Sequence, residues 1–222
     1  MRRVTLKFFI HLLLFVLFIE ISVLCVLMLS THINKPEIEP AEEPVIVEEP
    51  APILYEFPPY YMQYDERWAD TSYATNNIEQ SGCGLCAAAS YLSFYLQEEV
   101  TPADLVDEVG NTCVVYGVND MSLFLEYFAD EYDVQHSDIF WTKDEAYRWL
   151  DAGYLLFAGV NGQIGPNTYG GHVVLLWKQY GYINVMDSAS ENLGGLTDEE
   201  FYNADFTYFY WMEGSSVVEF QN

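Results

Sequence analysis

The residues best placed for chemistry sit in Gln80-Ser81-Gly82-Cys83-Gly84-Leu85-Cys86, where a polar stretch runs into Ala87-Ala88-Ala89. A thiol at the start of a helix lies near the positive end of the helix dipole and near unpaired backbone amides, and both favour the nucleophilic thiolate. The same amides can hold an oxyanion. Gly82 and Gly84 permit close backbone approach around Cys83, which makes Cys83 the candidate nucleophile; Cys86, one turn further in among alanines, reads as core. A nucleophilic cysteine needs a base, and the chain has 4 His. His11 and His32 lie in and just after an apolar N-terminal run, and His136 lies in the polar stretch Val134–Asp138. His172 follows Tyr169-Gly170-Gly171 and opens the apolar run Val173-Val174-Leu175-Leu176, so it is the candidate base. Asp187 ends the next strand pattern, Tyr182–Met186. A turn at Gln179-Tyr180 pairs Lys178 with Gly181 and carries His172 directly opposite Asp187. Their β-carbons would then be about 5 Å apart on one face, although another loop length would shift that pairing by a residue or two. An aspartate on one imidazole nitrogen leaves the other for the thiol, the cysteine form of a nucleophile–base–acid triad.

The elements that must position these residues are legible by pattern. Residues 84–97 form a nearly all-apolar, central helix. Thr101-Pro102 opens a second helix that closes at Gly110, a third covers about Met121 to Ala129, and Thr142 with Glu145 opens a fourth that stops at Gly153. Strands are expected over Tyr154–Val160, His172–Trp177, Tyr182–Met186, Phe206–Met212 and Val217–Phe220, with a small helix capped by Thr197 and Glu200. Helices come first and strands second. The fold class is therefore α+β, with N-terminal helices packed on a C-terminal antiparallel sheet.

The chain has 222 residues, 51% of them hydrophobic and 17% aromatic, enough for one domain with a real core. Its 8 Lys and Arg stand against 34 Asp and Glu, a net charge of −26 that argues against nucleic acid and against charge-driven binding to an anionic membrane. Four Cys are too few for a disulfide-built scaffold. Arg2, Arg3 and Lys7 precede an apolar run over 8–29 that lacks an Ala-x-Ala cleavage pattern, and Cys25 lacks the small preceding residue of a lipoprotein site. Residues 1–7 then read as a cytoplasmic segment and 8–29 as an uncleaved transmembrane anchor. The basic residues keep the N-terminus inside, so the C-terminal domain faces outward. Residues 30–59, rich in Pro and Glu from Pro36 onward, read as a semi-stiff linker, and 60–222 as the outer domain.

With these residues in hand, a resemblance is apparent. Met62-Gln63-Tyr64-Asp65-Glu66-Arg67-Trp68-Ala69, Ser81-Gly82-Cys83-Gly84, Thr101-Pro102, Gly171-His172-Val173-Val174 and Asp187 follow one another as in the C39-like peptidase domains of secreted bacterial proteins, a papain-like cysteine peptidase family. Leu196–Phe201 is similar to that family's closing element, so the resemblance runs from about Tyr60 to Phe206. It implies that Cys83 is the nucleophile, His172 the base and Asp187 the orienting acid. Gln63, in the pattern Gln-x-Asp-x-x-Trp, is the first choice for the side chain that stabilises the oxyanion, with Asn77 and Gln80 as alternatives. Two departures stand out: Asp187-Ser188 where the family often has Asp-Pro, and Leu85-Cys86 where it often has Pro-Thr.

The expected function is a cysteine peptidase or related amide hydrolase acting outside the membrane on a peptide or protein, with no cofactor and no metal. Two rivals remain: a lapsed papain-like module that binds peptides without cleaving them, and a thiol-redox protein using Cys83-x-x-Cys86. The redox reading wants a strand before the motif, where Asn76–Ser81 is polar. Zinc would want a second paired motif.

Overall fold

The structure is a computed structural model of the chain and describes residues 15, 17–28, 54–191 and 194–214. The chain divides into two units, Met1–Pro50 and Ala51–Asn222. In the first, residues 17–28 are helical with exposed apolar side chains such as Phe18, Leu24 and Val26. Among the described residues no helix is long and apolar enough to cross a membrane. The anchor expected over 8–29 falls only partly within them, and most of the expected linker lies outside.

The second unit begins before Tyr60. The Leu54 and Tyr55 amides donate to the Gln97 side chain at 2.9 and 3.0 Å, and Gln97 donates back to the Tyr55 carbonyl. The Ser90 hydroxyl donates to the Pro59 carbonyl at 2.6 Å. Residues 54–59, read as the end of a linker, are therefore bound to the domain.

The helices are α1 (Ile78–Ser81), α2 (Cys83–Leu96), α3 (Pro102–Val109), α4 (Met121–Tyr132), α5 (Lys143–Asp151) and α6 (Asp198–Asn203). The strands are β1 (Ser72–Tyr73), β2 (Asn76–Asn77), β3 (Val114–Val115), β4 (Val118–Asn119), β5 (Leu155–Ile164), β6 (Asn167–Gln179), β7 (Tyr182–Met186) and β8 (Phe206–Met212). β1–β2 and β3–β4 are short hairpins, and the other four strands form an antiparallel sheet in the order β7-β6-β5-β8. The fold is α+β.

α2 carries three alanines and three leucines, which are strong helix formers, and every residue from Gly84 to Phe94 is buried, so it must be central. It lies along β6. Period-two alternation splits the sheet between two cores. Phe157, Val173, Leu175 and Met186 face the core shared with Leu85, Tyr91 and Leu92 of α2. Ala158, Val174, Leu176, Ile183 and Val185 face a second core closed by Ala146 and Leu150 of α5 and Phe201 of α6. Helices thus cover both faces, because the strands are apolar on both. The outer edges are occupied as well. Ile183 exchanges backbone bonds with Leu196 at 2.9 and 2.7 Å, and Phe209 with Phe140 at 2.8 and 3.0 Å, which blocks edge-to-edge pairing.

Two features depart from the sequence reading. First, β5 and β6 are longer than expected, pairing out to Ile164 and Asn167. Asn161, Gln163 and Thr168 are polar and the segment carries glycines, so the apolar pattern faded before the hairpin ended. Second, the β6–β7 turn is Tyr180-Gly181, with Gln179 opposite Tyr182 and Lys178 opposite Ile183. Tyr180 and Gly181 have φ of 55° and 78°. Positive φ at both central residues is the type I′ signature, which suits the strand twist. The expected pairing of Lys178 with Gly181 is displaced by two residues, and His172 is not directly opposite Asp187. A shift of two preserves the face of every side chain. The expected strand Val217–Phe220 lies outside the described residues.

Tyrosine is a poor occupant of that turn, since a side chain at positive φ is strained. Tyr180→Asn should raise the free energy of unfolding by up to about 1 kcal/mol in a denaturant titration. A loss of stability would show that Tyr180 is held by contacts that outweigh the turn preference.

Candidate active site

Cys83 is the first residue of α2, with Gly82 as its N-cap. A β-carbon on Gly82 would lie 2.5 Å from the Ile78 carbonyl oxygen. One on Gly84 would lie 2.6 Å from Cβ of Asn119 and 2.9 Å from the Met121 sulfur. The two glycines therefore let α1, and the chain from β4 into α4, close onto the start of α2. The first helical amides have no partner within their own helix, so they remain donors at this end.

His172 lies in β6 opposite Val160, and Asp187 directly follows β7. The His172 Nε2 meets Asp187 Oδ1 at 2.8 Å. That leaves Nδ1 on the side away from the carboxylate, and His172 lines the same cleft as Cys83. The imidazole also stacks on the Tyr169 ring, with centroids 4.2 Å apart and planes 22° from parallel. The structure thus brings Cys83, His172 and Asp187 together, and the contact that joins the last two is diagonal rather than cross-strand.

Asp187 is 0% exposed. Its carboxylate accepts from the Tyr169 hydroxyl at 2.5 Å, the Ala189 amide at 3.0 Å and the Asn167 side chain at 3.4 Å, besides meeting His172. Burial acts to raise its pKa, but the bonds from His172 and Tyr169 outweigh that and hold it below the ordinary carboxylate range. Burial likewise acts to lower the pKa of His172, but the bond to Asp187 and the neighbouring Cys83 push it up to about 9. The pair therefore favours imidazolium and carboxylate.

A cleft of about 470 Å³ opens over Cys83 and His172. Ser81, Gly159, Asn161, Gly170, Gly171 and Tyr208 are among its lining residues. A β-carbon on Gly159 would lie 2.2 Å from the Tyr208 ring, so the glycine is what lets that ring cross the strand beside the cleft.

The three side-chain amides named for the oxyanion have different fates. Gln63 does not line the cleft: its Nε2 donates to the Glu79 carbonyl at 2.5 Å, and its Oε1 accepts from the Ser188 hydroxyl at 3.2 Å. It ties the Tyr60–Trp68 segment to α1 and to the residue after Asp187. Asn77 caps α1, accepting from the Gln80 amide. Gln80 lines the cleft with an exposed side chain. The sequence pattern assigns no role to Asn119, Tyr169 or Tyr73, all of which stand at the site. Asn119 Nδ2 stands 3.7 Å from the Cys83 sulfur, and the Tyr73 hydroxyl donates to Asn119 Oδ1 at 2.7 Å. Tyr169 is three residues before His172 and the glycine pair draws the eye to it; no sequence signal marks Asn119.

Cys86 is fully buried, and burial pushes its thiol well above the ordinary range. It has the environment of a core residue. Cys113 is also buried.

No protein-family model and no curated protein matches the chain. Among solved structures it is similar to the Salmonella effector SpvD in its G161 variant, at 13% identity and a TM-score of 0.36, over 60% of this chain and 68% of that one. A score of that size carries no argument about fold or function.

Asp187→Asn should lower the His172 pKa from about 9, because burial then acts without the opposing carboxylate. Titration of the imidazole Cε1 proton by NMR measures this, and an unchanged midpoint would show that Asp187 does not control the base. Linkage gives a second expectation. A raised folded-state pKa means that the stability from His172 is fully present below about pH 6.5 and is lost as pH rises through about 9. The stability difference between the wild type and His172→Gln should shrink over that window in urea titrations.

Proposed function

We propose that the outer domain is a papain-like, C39-like cysteine hydrolase that cleaves an amide bond through Cys83, His172 and Asp187. The observation that carries the proposal is an imidazole bonded on one nitrogen to a buried carboxylate and sharing an open cleft with a thiol at a helix start.

In this reading the Cys83 thiolate attacks the substrate carbonyl carbon, the C–S bond forms, and the C=O electron pair moves onto oxygen. Backbone amides at the start of α2 hold that oxygen. The His172 imidazolium gives its proton to the departing amine as the C=O re-forms and the C–N bond breaks, leaving an acyl-thioester. The neutral imidazole then takes a proton from water as the water oxygen bonds to the acyl carbon, and breaking of the C–S bond releases the acid and returns thiolate and imidazolium. Asp187 and Tyr169 hold the ring in place throughout. None of the residues lining the cleft is Asp, Glu, Lys or Arg. With the net charge of −26, this favours a neutral or basic peptide segment over an acidic one. Residues 8–29 serve as a membrane anchor and hold the domain on the outer side. The burial of Cys86 within the α2 core favours hydrolysis over dithiol redox chemistry.

Profiling of peptide libraries with the reduced full-length chain tests the proposal. Cys83→Ala should abolish cleavage, a loss of at least about a thousandfold, whereas Cys86→Ala should retain it. Equal loss in both variants together with thiol–disulfide exchange would support the redox reading. Peptide binding without turnover in the wild type would support a lapsed enzyme.

A further inference from the structure

Gln63, the amide that the C39-like resemblance offers for the oxyanion, is committed to the Glu79 carbonyl and Ser188 and lies off the cleft. A different amide occupies the space beside the sulfur. Asn119, the last residue of β4, lines the cleft with Nδ2 at 3.7 Å from Cys83 Sγ. The same Nδ2 donates to the Ser81 carbonyl at 2.8 Å, and Oδ1 accepts from the Tyr73 hydroxyl at 2.7 Å. A carbonyl oxygen can only accept, so the contact with Ser81 settles which end of the amide is nitrogen. Tyr73 is 0% exposed and burial raises its pKa, so its hydroxyl stays a donor and pins the amide from behind.

The geometry points to Asn119 as the side chain that stabilises the oxyanion in this cleft. The inference rests on the hydrolase reading above and adds a catalytic residue to it. An amide nitrogen has two hydrogens. One is held by Ser81, and the other faces the sulfur. When the sulfur bonds to a carbonyl carbon, the oxygen on that carbon comes within reach of a donor standing 3.7 Å from the sulfur. The long N–H···S contact is then exchanged for a shorter N–H···O⁻ bond. This interaction strengthens as charge builds on oxygen, which is what lowers a barrier. Gly84 makes the arrangement possible, since a β-carbon there would lie 2.6 Å from Cβ of Asn119.

The test compares two reactions of Cys83 in the full-length chain. p-Nitrophenyl acetate acylates the thiolate through a tetrahedral oxyanion and expels p-nitrophenolate. Iodoacetamide alkylates it by displacing iodide, with no oxyanion. The ratio of the two rates at one pH cancels any change in the amount of thiolate. Asn119→Asp has nearly the same shape and replaces the donor with an acceptor, so the ratio should fall about a hundredfold. Asn119→Ala, which removes the donor without adding a carboxylate, should give a fall of similar size, and Tyr73→Phe a smaller one. Gln80→Ala should leave the ratio within about twofold, since the side-chain amide bonded to the sulfur is that of Asn119 and the Gln80 side chain is exposed to solvent. An unchanged ratio in both Asn119 variants, or a fall confined to Gln80→Ala, would overturn the inference and leave the hydrolase reading intact. A wild type that is alkylated but never acylated overturns it as well. A Cys83 that reacts with neither reagent removes the hydrolase reading itself, and the inference with it.

Discussion

A carboxylate with no exposure to solvent is the constraint around which the site is arranged. Asp187 would be costly to bury as an isolated charge, and it is tolerated because four groups converge on it: the imidazole, a tyrosine hydroxyl, a side-chain amide and a backbone amide. Removing one partner of such a buried pair costs roughly 3–5 kcal/mol, since the remaining charge cannot return to water. Three of those partners, Asn167, Tyr169 and His172, come from one strand. β6 must therefore extend from Asn167 to Gln179 with the register shift against β5 that falls between Tyr169 and His172, and the β6–β7 turn must deliver Asp187 to it. The length of the strand and the register of the hairpin are conditions for burying this charge.

The thiol depends on a second condition, close packing at the start of α2. Three glycines permit close approach around it: Gly82 against α1, Gly84 against Asn119, and Gly159 beneath Tyr208. A single β-carbon at any of them would occupy space already filled by backbone, by a neighbouring side chain or by a ring. Cys83 is partly exposed while Gly84 through Phe94 are sealed, so the reactive end of the helix is the end that reaches the cleft. The rest of α2 is anchored in the core and gives that end a rigid mount.

Much of this was legible in the chain. The apolar run after Cys83, the caps at Thr101, Thr142 and Thr197, and the strand patterns around His172 and Tyr182 each mark a local preference, and local preferences survive folding when the core agrees with them. The proximity of His172 and Asp187 was legible for a related reason. Parity along two adjacent strands keeps two side chains on one face even when the turn is misjudged by two residues. The extension of β5 and β6 was not legible, because polar residues in a paired hairpin carry no apolar period. The fastening of residues 54–59 was hidden in the same way, since its bonds run to Gln97 and Ser90, far along the chain.

The side-chain amide at the sulfur shows where sequence reasoning stops. Gln63, Asn77 and Gln80 lie upstream of the thiol and invite the assignment by spacing, yet two of them are consumed by local structure, one tying a loop and one capping a helix. Asn119 lies 36 residues downstream of Cys83 and reaches it only because β3–β4 folds over the helix start. The amino-acid sequence by itself determined the helix that presents the thiol, the α+β class, the acidic surface and the pairing of imidazole with carboxylate, since each follows from periodicity, composition or strand parity. Tertiary structure alone decided which amide stands beside the sulfur, which helices cover which face of the sheet, and which residues lie along the cleft. Those outcomes depend on contacts between distant segments, and no local rule of spacing or propensity records which distant groups will compete for the same space.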